Sequence, residues 1–161
     1  MENINNDELR PLDVFDDPWL YYNNHKYDIY SINNVGKWML FYDKSLMNEA
    51  WIIAKKLYRE NKLDGVFSMK CSTNYENPRA SSKDDIIILY CSNSSNEEQI
   101  MKNGKNILIM FDYKEQHTIY YKTDLQTLEG TKATGTKLNH AYKLFNPLYK
   151  SKCLIKIPGF N

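Results

Sequence analysis

The chain has 161 residues, of which 42% are hydrophobic, 14% aromatic and 25% charged, with 21 Lys and Arg against 20 Asp and Glu. This is the length of one domain with enough apolar content for a core of its own, which excludes a globally disordered chain. The formal charge of +1 excludes non-specific nucleic-acid binding, which needs a basic excess. The apolar runs, Ile86 to Leu89 and Ile107 to Phe111, are far short of the roughly 20 residues of a membrane span.

Residues 1–17 are acidic and poor in apolar side chains, and read as a flexible arm pinned by Val14 and Phe15. They resemble neither a signal nor a transit peptide. Residues 18–161 show no repeat and no linker, and read as a single domain. Trp19 to Ile32 is dense in Tyr and Trp and fits either an aromatic edge strand or a packed irregular stretch. Lys37 to Tyr42 reads as a strand, with a turn at Asp43-Lys44. Ser45 then stands where a helix cap belongs, and Met47, Ala50, Trp51, Ala54, Leu57 and Tyr58 fall on one helical stripe. Gly65 ends a turn before a strand over Val66 to Ser72. Asn74 to Ser82 is a loop holding Pro78. Ile86 to Cys91 is a buried strand. Ser94 and Ser95 stand at capping-box spacing before Glu97 and Glu98, which predicts a short helix to about Gly104. Asn106 to Tyr113 and Thr118 to Lys122 read as strands joined by a hairpin at Lys114 to His117. The tail from Gly130 onward carries no assignment.

These elements predict an α+β fold: one curved, mostly antiparallel sheet with helices packed on one face and the concave face open for a ligand. The three cysteines, Cys71, Cys91 and Cys153, are widely spaced and odd in number, as in reduced thiols of a cytoplasmic protein. No CxxC occurs, and His25, His117 and His140 have no partner at zinc spacing. No metal and no cofactor is therefore expected.

The six glycines are scattered, so no phosphate-binding loop exists, and there is no GxSxG. What stands out is a set of cations on or beside strands: Lys37, Lys70, Arg79 and Lys122. In the strand Val66 to Ser72, alternation puts Phe67, Met69 and Cys71 on the core side and Ser68, Lys70 and Ser72 on the free side. Lys70 among small hydroxyl residues is a setting for a bound anion. A lysine on a solvated strand face is ordinary, and the anion-pocket reading depends on the four cations converging.

Four segments occur in a telling order: Gly36-Lys37-Trp38, Lys70-Cys71-Ser72-Thr73, Asn77-Pro78-Arg79-Ala80 with the IIILYC strand after it, and Tyr121-Lys122-Thr123-Asp124. This order resembles the phosphothreonine lyase domain family, and a related eukaryotic family whose fold is like that of the cap-binding initiation factor 4E. The resemblance spans residues 36–130. It implies recognition of a phosphorylated protein or a nucleotide. It further implies β-elimination of phosphate with Lys70 as the base and Lys37, Arg79 and Lys122 holding the phosphate. Neighbouring cations and burial would make Lys70 easier to deprotonate and would stabilise the leaving group. The chain departs from the lyase pattern at one place. Met39 stands where that family has its acid histidine, and a missing general acid costs about 10²–10⁴-fold in rate.

The alternative is a non-catalytic module that binds or sequesters a nucleotide by aromatic stacking. Trp51 and Trp38 read as core residues. Trp19, Tyr21 and Tyr22 are free for either role, and Asp16, Asp17 and Glu76 are available acids for a base edge.

Overall fold

The computed structural model describes residues 9–23, 34–76, 78, 83–125, 142–145 and 154–156. Among the described residues, two short 3-10 turns, Pro11–Asp13 and Lys44–Leu46, accompany two helices and seven strands. In chain order these are β1 (Trp19–Tyr22), β2 (Val35–Tyr42), α1 (Met47–Arg59), β3 (Val66–Ser72), β4 (Asp85–Ser92), α2 (Glu97–Met110), β5 (Thr118–Thr123), β6 (Tyr142–Phe145) and β7 (Leu154–Lys156). The strands form one curved sheet in the order β1-β3-β4-β2-β5-β6-β7, and every neighbouring pair is antiparallel. The α+β architecture with helices on one face is the one the sequence predicts.

The helices form for local reasons. Met47, Ala50, Trp51, Ala54 and Leu57 are buried along one stripe of α1. Ser45 does not cap α1: Asp43 caps the 3-10 turn Lys44–Leu46 that leads into the helix, its Oδ1 accepting from the Ser45 backbone N–H at 3.0 Å and from the Ser45 hydroxyl at 2.7 Å. α2 is capped directly by Asn96, whose Oδ1 accepts from the Gln99 N–H at 3.1 Å, while Ser95 bonds to Asn93.

The strand expected over Asn106 to Tyr113 is instead the second half of α2. Ile100, Asn103, Gly104, Ile107 and Leu108 are buried at helical spacing, whereas Ile109 is 70% exposed. A strand would have buried alternate residues. Gly104 does not break the helix. It lets α2 approach the sheet so closely that a Cβ there would lie 2.5 Å from Trp38 Cζ2. Lys114 to His117 therefore links a helix to β5 and is not a hairpin.

Trp19–Tyr22 does form the edge strand, and the tail contributes β6 and β7. Residues 24–33 of the aromatic segment lie outside the described residues. Near the N-terminus Val14 is buried but Phe15 is 66% exposed, so only Val14 pins this stretch. The Asn74 N–H bonds the carbonyls of Pro11 and Val14 at 3.1 and 2.9 Å.

Both helices cover the same sheet face. Trp38, Leu40, Met69, Cys71, Ile87, Leu89 and Tyr121 pack there with Trp51, Ala54, Ile100 and Ile107 in one core. A second cluster on the opposite face joins Val35, Ile88 and Tyr90 to Trp19, Met39, Phe67 and Ile86, with no helical residue in it. Strict alternation puts Phe67 on the helix side. A register shift between Val66 and Ser68 in the β3–β4 ladder sends Val66 into the helix-side core and Phe67 to the other face. An extra residue in one strand breaks strict alternation in this way.

Candidate functional site

Residues directly opposite in an antiparallel pair project on the same face. Lys37 stands opposite Tyr90 on β4 and Lys122 on β5. Lys70 stands opposite Tyr21 on β1 and Ile88 on β4. Lys37, Lys70 and Lys122 thus share the helix-free face across adjoining strands. Arg79 lies outside the described residues.

Two lysines directly opposite repel, and the structure offsets this with a carboxylate. Lys37 Nζ lies 3.2 Å from Asp124 Oδ1, and the two side chains are only 9% and 2% exposed. Burying such a pair gains little over apolar residues, because the desolvation of two ions consumes the attraction. Lys37 Nζ also lies 5.7 Å from the Tyr90 ring centroid.

Lys70 has different surroundings from those the sequence suggests. Its Nζ lies 3.9 Å from the centroid of the Trp19 ring, 5.7 Å from that of Tyr21 and 6.0 Å from that of Tyr90. Aromatic faces attract an ammonium, so these rings hold the Lys70 head against the helix-free face. Burial, and then the charge of Asp17, raises the Tyr21 phenol above its ordinary value, which keeps that ring neutral. Beside Lys70, Ser68 is fully buried, and its hydroxyl has no hydrogen-bond partner among the described residues.

Met39 lies on the same face, packed against the Val35–Ile88–Tyr90 cluster. His117 precedes β5 and is exposed; along the strand it is about 17 Å from Lys122 at the usual rise per residue. His140 lies outside the described residues. The arrangement holds positive charge next to aromatic and apolar surface. That suits binding an anion with a flat or apolar body.

The remaining chemistry is quiet. Cys71 and Cys91 are free and buried. Burial raises both thiols, Cys91 to about 12, so neither is a nucleophile. Cys153 lies outside the described residues. No group of three or more His, Cys, Asp or Glu placed to hold a metal occurs among the described residues. No helix among them is long and apolar enough to cross a membrane. A cavity of about 420 Å³ lies away from this face, between Leu9-Arg10 and α1, lined also by Asn48, Ile52 and Lys55. It gathers none of the candidate lysines.

No local pattern in the sequence marks Tyr90 or Asp124 for a role, and Trp19 and Tyr21 fit packing as well as ligand contact. Asp124 closes the Tyr121-Lys122-Thr123-Asp124 motif and was legible as a charge next to Lys122. The Trp19–Lys70 contact depends on β1 pairing with β3, which no local pattern announces.

The family model described as basophilic leukemia-expressed protein Bles03 matches residues 31–129. No curated protein matches the chain by sequence. Among solved structures, a schistosome eIF4E complexed with m7GpppG and 4E-BP is similar at a TM-score of 0.63 and 15% identity, over 84% of this chain and 75% of that one. A schistosome eIF4E complexed with m7GpppA and 4E-BP is similar at 0.58 and 14% identity, over 81% and 71%. Caenorhabditis elegans eIF4E-3, in complex with the 4E-binding protein Mextli and a cap analog, is similar at 0.54 and 12% identity, over 69% of this chain and 64% of that one. The chain thus spans slightly under two thirds of the nematode protein's length. At these identities the likeness is one of fold, and the initiation-factor-4E-like architecture expected from the sequence is borne out.

Proposed function

The chain belongs to the Bles03 family, and from its eIF4E-like fold and the chemistry of its sheet we propose that it binds a phosphorylated ligand, a nucleotide, on the helix-free face. One observation carries the proposal. Lys37 and Lys70 reach the same Tyr90 ring, each ammonium within about 6 Å of its centroid, on a face that carries no helix among the described residues. Lys122 stands beside Lys37, and Arg79, between β3 and β4, is the fourth cation of the proposal.

In this reading Lys70 and Lys122 attract the phosphates. Lys37 is held by Asp124 as a fixed positive charge, and Trp19 with its neighbours supplies flat apolar surface for the base. The eIF4E structures of like fold contain cap nucleotides, which supports a nucleotide over a phosphorylated protein.

The test is a thermal-shift and calorimetry panel of nucleoside mono-, di- and triphosphates with the full chain. At a hundred times its dissociation constant a true ligand adds about 2.7 kcal/mol, which raises Tm by roughly 5–10 °C for a chain of this size. Lys70→Ala, Lys122→Ala and Arg79→Ala should each weaken binding. Absence of a shift with every nucleotide overturns the proposal. A phosphothreonine peptide incubated with the protein is expected to be recovered intact. Recovery of a dehydrated residue, lost in Lys70→Ala, would instead establish a lyase with Lys70 as its base.

A further inference from the structure

We infer that the nucleotide-binding face selects a base without positive charge, and that Lys70 is the residue that sets this preference. The inference rests on the nucleotide reading above and specifies its ligand. Aromatic rings grouped around one point commonly hold a cation brought by a ligand, because each ring face is negative and the ring itself costs little to desolvate. Here Trp19, Tyr21 and Tyr90 are grouped in this way, but around an ammonium of the chain itself. Lys70 Nζ is 3.9, 5.7 and 6.0 Å from their centroids. The cage is filled from within.

Two consequences follow for a ligand. A cationic base, such as a 7-methylated guanine, meets ring faces whose attraction is already taken by Lys70, and it meets the Lys70 charge as well. Lys37 and Lys122 lie further along the same face, and Asp124 is bonded to Lys37; the charge of Asp17, which acts on the Tyr21 ring, offsets part of the repulsion. An uncharged base finds the same faces partly covered but is not repelled by the ammonium, and its stacking on what remains does not depend on charge. Its phosphates gain from the same ammonium that repels the methylated base.

GTP and 7-methyl-GTP carry the same triphosphate and differ by one methyl group and one positive charge, so the pair isolates the effect. With the wild-type chain, calorimetry should show GTP binding roughly fivefold more tightly than 7-methyl-GTP. In Lys70→Gln the cage empties. GTP should weaken, and the ratio should move toward or past equality in favour of the methylated base. Lys70→Arg keeps the charge and should keep the wild-type ratio, which leaves the inference testable even if Lys70→Gln melts below the assay temperature. Tighter binding of 7-methyl-GTP by the wild type overturns the inference while leaving the nucleotide reading intact. So does a ratio unchanged in Lys70→Gln, or a ratio reversed in Lys70→Arg. Binding of neither nucleotide overturns the nucleotide reading, and the inference falls with it.

Discussion

The same strands build two faces of unlike character. Toward the helices, β2, β3, β4 and β5 present Trp38, Leu40, Met69, Cys71, Ile87, Leu89 and Tyr121, all fully buried under α1 and α2. Lys55, Asn103 and Asp85 are the polar exceptions buried there. On the other side burial is just as deep at Val35, Ser68 and Tyr90, at 0%, 0% and 1% exposure. Yet that face also takes in the Lys37–Asp124 ion pair and three aromatic rings around Lys70. Folding alone gives no reason for this expense, since apolar residues of similar size in place of a buried ion pair serve stability as well or better. The helix-covered face is what holds the protein together, and the helix-free face is where a buried ion pair is retained at a cost.

The comparison is broken most severely at Trp38. This ring is fully buried, lies edge-on to Tyr121 at 5.4 Å and donates its indole N–H to the Ile100 carbonyl of α2 at 3.3 Å. Trp38→Ala should lower stability by about 3–5 kcal/mol, read by urea denaturation. A loss below about 1 kcal/mol would mean that α2 is not anchored through this contact.

The matching cut on the other face is Asp124→Ala. It leaves the Lys37 ammonium buried without its carboxylate, and should cost about 3 kcal/mol, the low end for a broken buried pair because Lys37 keeps the Tyr90 ring face. Adding Lys37→Met to Asp124→Ala should restore much of the loss while reducing nucleotide binding. Recovery of stability with full binding would show that the pair has no part in the site.

How far the sequence could foresee these faces follows from which signals are local. Alternation in β2 and β4 and the apolar stripe of α1 are local, and they fix the helix-covered core down to Trp38 and Trp51. The second half of α2 is a different case. Ile107 to Phe111 is a run of apolar residues that fits a strand as well as a helix. What decides is tertiary: Gly104 fitting against Trp38 and the expulsion of Ile109 to solvent. On the helix-free face the lysines can be placed by alternation, because each sits in a strand of clear period. Their partners cannot. The Trp19–Lys70 contact requires the β1–β3 register, and the Lys37–Asp124 pair joins residues 87 positions apart. A bulge such as the one at Phe67 shifts the phase of Val66 and Phe67 and leaves Ser68 to Ser72 in step, and nothing in Val66-Phe67-Ser68 marks it.

The smallest expected effect tests the contrast from the helix-covered side, at Asp85. This residue opens β4 opposite Tyr42 and is 8% exposed, and its Oδ2 has no hydrogen-bond partner among the described residues. Burial raises its carboxyl above the ordinary range, with the charge of Lys44 and a Ser72 hydrogen bond opposing and the charges of Asp84 and Asp43 adding to the rise. An acid with a raised value binds its proton more tightly folded than unfolded. Its contribution to stability is therefore complete below the unfolded value and is lost as pH climbs through the raised folded one. At neutral pH the carboxylate is a net cost. Asp85→Asn should then raise Tm at neutral pH, by an amount corresponding to under about 1 kcal/mol, and the gain should vanish in acid below the ordinary carboxylate range. A variant that loses stability at neutral pH would show that Asp85 is paired as a carboxylate in the folded chain. The helix-covered face would then hold a carboxylate besides the buried Lys55, and the contrast between the two faces would fail at this corner.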